Sequence, residues 1–545
     1  MSLNVQKDAI VYQIYPRSFK DTDGDGVGDL VGIIESLDYL AELGVNTIWL
    51  SPVYESPNDD NGYDISDYKA IQPQFGSMAD FETLVAEAKK RGIGIVMDLV
   101  INHTSDEHEW FRRALAGEEK YRNYYIIEKG KNGKLPNNWG NFFAECPWTK
   151  FGDSEEEYYL HLFSKKQPDL NWHNPDVLEE VKDIMRFWLD KGVVGFRCDV
   201  INIIYKDSLA DGKKQLVLTG REHYLSTEGC HRILHTLRRE VLEPYGAFAV
   251  GETVFVDTAR AKALCDSARR ELDMIFYFEH MECDQVFVKW FKTRLKPKKL
   301  MKTLTKWQNA LEWNAIYFEN HDQPRFISRF QDLSGFRAEA SRMVAGLLMT
   351  LRGTPFLFEG QEIGMVNGDF KDLSEVEDIE SHNIYEMAKG LGIPKKLRWK
   401  MIKRTSRDNA RTPMQWSDED NAGFSRTKPW LKVNGNYPKV NVKRELADPN
   451  GILAFYKKMI KLRKENDILK EGSFRVLYEG NQVYAFARAY NGKTLVSVSN
   501  MTSRTAALPK ALGDHRSVFI SSYGDTFNGE LRPFEFRLYS VEDDK

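Results

Sequence analysis

The stretch Gly195-Phe196-Arg197-Cys198-Asp199-Val200-Ile201-Asn202 places an arginine and an aspartate two residues apart. It follows the apolar pair Val193-Val194 and reads as the end of a buried strand entering a loop. Side chains alternate faces along a strand, so Arg197 and Asp199 point to the same side. A guanidinium beside a carboxylate favours the ionised form, and a buried, ionised aspartate at a strand end is a candidate nucleophile. A structural ion pair fits this stretch equally well when it is read alone. Other strand ends carry carboxylates in the same way: Asp98 in Asp98-Leu-Val-Ile-Asn-His103, Glu252 after Gly251, and Asp322 in Asn320-His321-Asp322. Carboxylates converging with arginine and histidine at one mouth suit general acid/base chemistry on an acetal. Two of them must then hold opposite protonation states. Arg197 keeps Asp199 ionised, while Glu252, near other negative charges in a dry pocket, keeps its proton. The alternatives are a helix N-terminal carboxylate for Glu252, and core histidines or metal ligands for His103 and His321.

A second group with chemical potential is Asp21-Thr22-Asp23-Gly24-Asp25-Gly26-Val27-Gly28-Asp29. Spaced carboxylates on a glycine-rich turn can wrap one hard cation with oxygen ligands. The spacing mimics the start of an EF-hand loop, but the twelfth position is Gly32, where a bidentate glutamate is needed. The loop is therefore expected to be a cation site of another kind, with calcium favoured over magnesium. The alternative is a solvated acidic turn.

The elements that must position these residues alternate. Strands are expected over Ala9 to Tyr15, Thr47 to Leu50, Ile93 to Val100, the residues before Arg197, Ala247 to Val250, Leu272 to Phe278, Ala315 to Phe318 and Pro355 to Phe358. Helical periodicity falls between most of them, at Met78 to Arg91, Val177 to Leu189, Arg232 to Leu242, Leu300 to Leu311 and Met343 to Leu351. Eight strands alternating with helices suggest an α/β fold, a (β/α)8 TIM barrel, whose catalytic groups sit at the carboxyl ends of the strands. From Thr104 to about Leu170 the periodicity lapses in a stretch rich in Asn, Gly, Lys and aromatics, which reads as a subdomain inserted after the third strand. A polar stretch runs to Pro413, a last barrel helix covers Leu453 to Arg463, and short alternating runs follow from about Phe474. The expected domains are 1–103 with 171–470 (barrel), 104–170 (insertion) and 471–545 (an antiparallel β-sandwich domain).

Bulk properties narrow the function. The 545 residues exceed one minimal domain. The net charge of −4 is made of interspersed signs, with no basic stripe expected, so nucleic acid is not an expected partner. Aromatic content of 12% suits sugar faces as well as cores. Met1 to Ile10 lacks the apolar segment of a signal peptide, and no run approaches the about 18 apolar residues of a membrane span. The five cysteines (Cys146, Cys198, Cys230, Cys265 and Cys283) lack metal-ligand spacing and read as free thiols. A cytoplasmic monomer without nucleic acid or membrane partners is expected.

Asp98-x-x-x-x-His103, Gly195-Phe-Arg-x-Asp199, Gly251-Glu252 and Asn320-His-Asp322, in that order, resemble the α-amylase family of glycoside hydrolases, family 13. The resemblance covers nearly the whole chain. Gln167-Pro-Asp-Leu-Asn171, Asn320-His-Asp-Gln-Pro-Arg325 and Arg407-Asp-Asn-Ala-Arg-Thr-Pro-Met-Gln-Trp416 are similar to the oligo-1,6-glucosidase and dextran glucosidase branch. The resemblance implies that Asp199 is the nucleophile, Glu252 the acid/base, and Asp322 the group that holds and distorts the sugar ring. It implies that Arg197, His103 and His321 position the nucleophile and the glucose. Asp60, Tyr63 and Arg411 would line the blind end of a pocket, closed by an Asp60–Arg411 ion pair, and Asp98, Phe143, Phe163 and Gln167 would shape it. The acidic loop would hold a structural Ca2+ through Asp21, Asp23, Asp25, Asp29 and the Val27 carbonyl. Valine at Val200 accompanies α-1,6 specificity in such relatives. Thr253 and Glu319 depart from the branch's usual methionine and asparagine, and both are expected on the leaving-group side. The implied activity is retaining, exo-acting hydrolysis of α-1,6 bonds in isomaltose, isomaltooligosaccharides or short dextrans. Trehalose-6-phosphate hydrolase and sucrose isomerase are the alternatives, although the isomerase's arginine-rich loop is not evident in Phe326 to Asp332. A non-catalytic transporter-associated chain is disfavoured by the carboxylates present.

Overall fold

The computed structural model describes residues 5–541 except 144, 216, 331, 332, 334, 513–515 and 526–528. Met1–Asn4, and Gln331 and Asp332 of the stretch compared with sucrose isomerases, thus lie outside the described residues. The eight expected strands form one parallel sheet: β1 (Val11–Ile14), β2 (Thr47–Leu50), β3 (Gly94–Leu99), β4 (Gly195–Cys198), β5 (Phe248–Glu252), β6 (Met274–Phe276), β7 (Ala315–Ile316) and β8 (Thr354–Phe358). They run in the order β6-β5-β4-β3-β2-β1-β8-β7, and β6 lies against β7, so the barrel nearly closes. Almost every strand residue is buried, as parallel strands covered by helices on one side and filled by side chains on the other must be.

Register sets up the chemistry. Arg197 of β4 lies opposite Asp98 of β3 on one side and Val250 of β5 on the other. Glu252 is two residues beyond Val250 and therefore shares that face.

Between β3 and β4 lies a three-stranded antiparallel sheet of Ile127–Lys129, Glu157–Leu160 and Trp148–Lys150. After the barrel, five antiparallel strands spanning Ser473–Val541 enclose a small apolar cluster with the Ala506–Ala507 and Glu530–Leu531 pair. The opposite face of that sheet rests on the barrel helix Arg337–Thr350 at Gly346, where a Cβ would fall 2.3 Å from the Phe536 ring.

Two regions differ from expectation. The helix expected at Arg232 to Leu242 starts earlier, at Glu228, where Thr227 caps it, and widens into a π turn over Arg238–Leu242. Pro244, which lacks an amide hydrogen, sits in the α turn Glu243–Tyr245 that follows, and the wider π turn before it accommodates the missing donor. The polar stretch before Pro413 folds into the helices Ile379–Gly390, Lys395–Thr405 and Asp408–Arg411. Three of its buried apolar residues, Ile384, Tyr385 and Ile402, close a cluster with Trp290 of an unexpected hairpin, Gln285–Val286 and Val288–Lys292. That stripe is too narrow to dominate the periodicity.

Candidate active site

At the carboxyl ends of β3, β4 and β5 one buried guanidinium gathers three carboxylates. Arg197 Nη1 donates to Asp98 Oδ1 at 2.7 Å and to Asp199 Oδ1 at 2.6 Å, and Nη2 donates to Glu252 Oε2. The floor beneath them is aromatic: Trp49 stacks on Phe276, and Phe276 meets Phe356 edge to face. Burial in this dry floor pushes Glu252 well above the usual carboxylate range; Arg197 opposes the shift, while Asp199 and Asp322 add to it. Asp98 is likewise raised by burial, to about 7, although Arg197 opposes and Trp49 Nε1 donates to it at 3.2 Å.

Asp322 is held the other way. Burial disfavours its charge, but His321, Arg411 and Arg407 outweigh burial and hold it well below the carboxylate range. Arg411 Nη2 donates to Asp322 Oδ1 at 2.7 Å, and its Nε donates to the His321 carbonyl at 2.8 Å. Burial lowers the His321 pKa, against the pull of Asp322. With the Gln13 amide donating to Nδ1 at 2.7 Å, the hydrogen sits on Nε2, which faces Tyr63 Oη at 2.7 Å and Asp322 Oδ2 at 3.1 Å. Tyr63 stacks on that ring and donates to Asp98 Oδ2 at 3.1 Å, closing a chain from Asp322 back to Arg197.

The insertion supplies one wall. Gln167 Nε2 donates to Asp60 Oδ2 at 3.3 Å and to the Tyr63 carbonyl at 3.2 Å. His103 Nε2 lies 3.0 Å from the same carbonyl, and Phe163 packs on the His103 ring and against Phe143. Asp199, Glu252, Asp322, Asp60, Tyr63, Asp98, His103, Phe143, Phe163, Gln167, Arg197, His321 and Arg411 thus belong to one connected cluster. Val200 borders it, buried among Ile203, Leu162 and Tyr224, with its amide 3.5 Å from Glu252 Oε2. Its φ of +35° and ψ of +37° are left-handed, a conformation rare for a β-branched residue.

One expectation is corrected. Asp60 pairs with Arg407 at 3.1 Å, not with Arg411, whose guanidinium is turned to Asp322 and His321. Arg407 also reaches Asp378 at 2.8 Å, Asp322 at 3.6 Å and Glu380 at 3.8 Å, and it lies over the Phe143 ring. It is the main site residue that sequence reasoning missed. The signal was the four-residue spacing of Arg407 and Arg411, which puts both on one face of a short helix. Thr253 and Glu319 are hydrogen-bonded within the protein, and Glu319 lines the same cleft as Arg197 and Glu252. Thr253 is fully buried and donates to the Phe276 carbonyl, while Glu319 accepts from Arg325 at 3.1 Å and from the Phe326 amide at 2.9 Å.

The acidic loop brings part of the expected set together. Asp21, Asp23 and Asp29 bring their carboxylate oxygens within 4.8 Å of one another. Asp25 stands outside this group, with its carboxylate accepting from the Val27 amide at 2.7 Å. Desolvation and the neighbouring Asp25, Asp21 and Asp29 push Asp23 above the carboxylate range. Crowded hard oxygens of this kind fit a calcium-sized cation.

Comparison with known proteins gives the family. The catalytic-domain profile of alpha-amylase matches residues 13–472. An oligo-1,6-glucosidase of Parageobacillus thermoglucosidasius is 47% identical over 98% of each chain. The crystal structure of Bacillus licheniformis trehalose-6-phosphate hydrolase superposes with a TM-score of 0.93 at 41% identity, covering 98% of this chain and 99% of that one. Trehalulose synthase from Pseudomonas mesoacidophila does so with a TM-score of 0.94 at 39% identity, covering 98% and 99%. With its barrel, its insertion after β3 and its arginine-bridged carboxylates, the chain belongs to the alpha-amylase family of glycoside hydrolases.

Proposed function

We propose that the protein is a retaining, exo-acting α-glucosidase that cleaves α-1,6-glucosidic bonds at the non-reducing end of isomaltose, isomaltooligosaccharides or short dextrans. The observation carrying the mechanism is the single guanidinium shared by Asp199 and Glu252. Two carboxylates on one guanidinium belong to the closely spaced class of about 5–5.5 Å rather than the ~6.5–9.5 Å class that holds a water between them. Glu252 protonates the leaving glycosidic oxygen as Asp199 attacks the anomeric carbon, forming a glucosyl ester. Glu252, now a carboxylate, then takes a proton from water as that water attacks the same carbon and releases Asp199. Asp322 and His321 hold ring hydroxyls. Asp60 and Arg407 close the pocket beyond the glucose, which limits action to chain ends. The first-formed product is expected to be α-glucose, followed by NMR; initial β-glucose would sink the mechanism.

The α-1,6 preference draws on the oligo-1,6-glucosidase relative and on Val200. A 1,6 link has an extra methylene and can swing past the valine methyls, whereas a 1,4 link brings a ring carbon and hydroxyls close to them. Val200→Thr keeps the β-branch, hence the same left-handed backbone burden, and changes only a methyl to a hydroxyl. It is expected to raise kcat/KM on maltose relative to isomaltose by about ten- to two-hundredfold. A proportional fall on both substrates would make Val200 merely a filler. Rates on isomaltose, maltose, sucrose and trehalose-6-phosphate, measured side by side, test the substrate itself, and a preference for the phosphorylated sugar would replace this reading with a phosphoglucosidase.

Asp21, Asp23 and Asp29 are proposed to hold one calcium that braces the loop after β1 and takes no part in the chemistry. A native-state ligand at a hundred times its Kd adds about 2.7 kcal/mol of stability. Chelator should therefore lower the melting temperature and re-added calcium restore it, with an unchanged melt counting against the site.

A further inference from the structure

Between Gln285 and Leu311 the sequence holds eight lysines and arginines and no acidic residue, and between Gly390 and Ser406 six more, again with no acidic residue. The fold brings the two segments together. The hairpin strand Val288–Lys292 lies on the helix Lys395–Thr405, and Arg404 donates to the carbonyls of Lys292 at 3.0 Å and Thr293 at 3.1 Å. The interspersed charge expected of the whole chain fails at this face. Lys289, Lys292 and Lys306 have carboxylate partners in Glu380, Asp284 and Glu279. Among the described residues, the exposed Arg294, Lys298, Lys299, Lys396, Lys400 and Lys403 have none. Neither the helix Pro297–Ala310 nor the helix Lys395–Thr405 has an acidic residue in its first turn; one opens with Lys298 and Lys299, the other with Lys395 and Lys396. Cations there oppose the helix dipole, so fold stability does not account for the pattern.

Apolar side chains project among these charges. Phe287 is 87% exposed at the hairpin turn, Leu391 is 72% exposed, and Phe291 and Leu397 are half exposed. The hairpin is anchored, because Trp290 packs with Ile384, Tyr385 and Ile402 beneath it.

We propose that this face docks peripherally on an anionic phospholipid bilayer, with its lysines and arginines at head-group level and the four apolar side chains in the acyl boundary. Basic residues interleaved with exposed apolar ones are the chemistry of interfacial binding. Among the described residues no helix is long and apolar enough to cross a membrane, so the contact is superficial. A second copy docking through the same patch would set like charges against each other. A soluble polyanion would engage the lysines but has no use for the aliphatic Leu391 and Leu397.

The full chain should be sedimented with vesicles of phosphatidylcholine alone and with phosphatidylglycerol at about 30 mol%. Binding to the anionic vesicles is expected to be at least about tenfold stronger and to vanish near 0.5 M salt, where screening shortens to a few ångströms. Phe287→Ser with Leu391→Ser should cut vesicle binding about fivefold or more, leaving retention on a heparin column and isomaltose hydrolysis unchanged. Lys396→Glu with Lys400→Glu should weaken both vesicle and heparin binding. Equal affinity for neutral and anionic vesicles, no vesicle binding, or vesicle binding untouched by the apolar substitutions would overturn the proposal, the last result assigning the face to a soluble polyanion.

Discussion

Glu252→Gln is expected to lower kcat/KM on isomaltose by about 10²–10⁴-fold, the range general acid/base catalysis contributes. Glutamine keeps the shape and can still accept from Arg197, but it has no proton to give the leaving oxygen. Burial, Asp199 and Asp322 hold Glu252 protonated in the native enzyme against the pull of Arg197. The wild-type rate should therefore fall as pH rises through the elevated Glu252 pKa, because only the protonated form is competent. The variant should lose that alkaline limb while keeping the melting temperature close to wild type. An aryl glucoside with a good leaving group should suffer less in the first step, since little protonation is needed. The second step still lacks its base, so azide should accelerate turnover and yield the α-glucosyl azide. A variant that hydrolyses isomaltose at the native rate with the native pH profile would remove Glu252 from the acid/base role.

Much of the barrel and its site is written in short-range patterns. Period-two alternation places Arg197 and Asp199 on one face, and strand ends bearing Asp98, Glu252 and Asp322 follow from strand–helix alternation and the order of the motifs. What local pattern does not contain is which partner a long side chain reaches. Arg407 and Arg411 share a helix face, and only the path of the segment from Ile379 to Arg411 decides that Arg407 meets Asp60 while Arg411 meets Asp322. That segment is polar because its helices are held by ion pairs and one small apolar cluster, so its periodicity is weak. Thr253 and Glu319 were legible as departures, but the groups they bond, the Phe276 carbonyl of the neighbouring strand and Arg325 six residues on, were not. The basic face is a different failure. A near-neutral total conceals a local excess when the compensating acids sit in other elements.

Arg407→Gln is expected to be among the most damaging single changes outside the reacting carboxylates. The guanidinium is buried against four carboxylates: Asp378 at 2.8 Å, Asp60 at 3.1 Å, Asp322 at 3.6 Å and Glu380 at 3.8 Å. Asp322 keeps Arg411, and Glu380 keeps Lys289. Among the described residues, Asp60 keeps only the Gln167 amide. Removing one partner of a buried pair strands the other charge and costs about 3–5 kcal/mol. The pocket should lose its closed end at the same time, so kcat/KM on isomaltose should fall while cleavage of internal bonds in dextran becomes detectable by the size of the released products. Arg411→Gln should act differently, weakening the hold on Asp322 and lowering kcat without admitting internal bonds. The double substitution Arg407→Gln with Asp60→Asn separates charge from shape. If the stranded carboxylate is the cause, the pair should be more stable than Arg407→Gln alone, with a coupling of about 0.5–3 kcal/mol between the sites in a double-mutant cycle. Strict additivity, with no gain from neutralising Asp60, would show that Arg407 braces the helical segment through Asp378 instead, and that the pocket is closed by shape rather than by this ion pair.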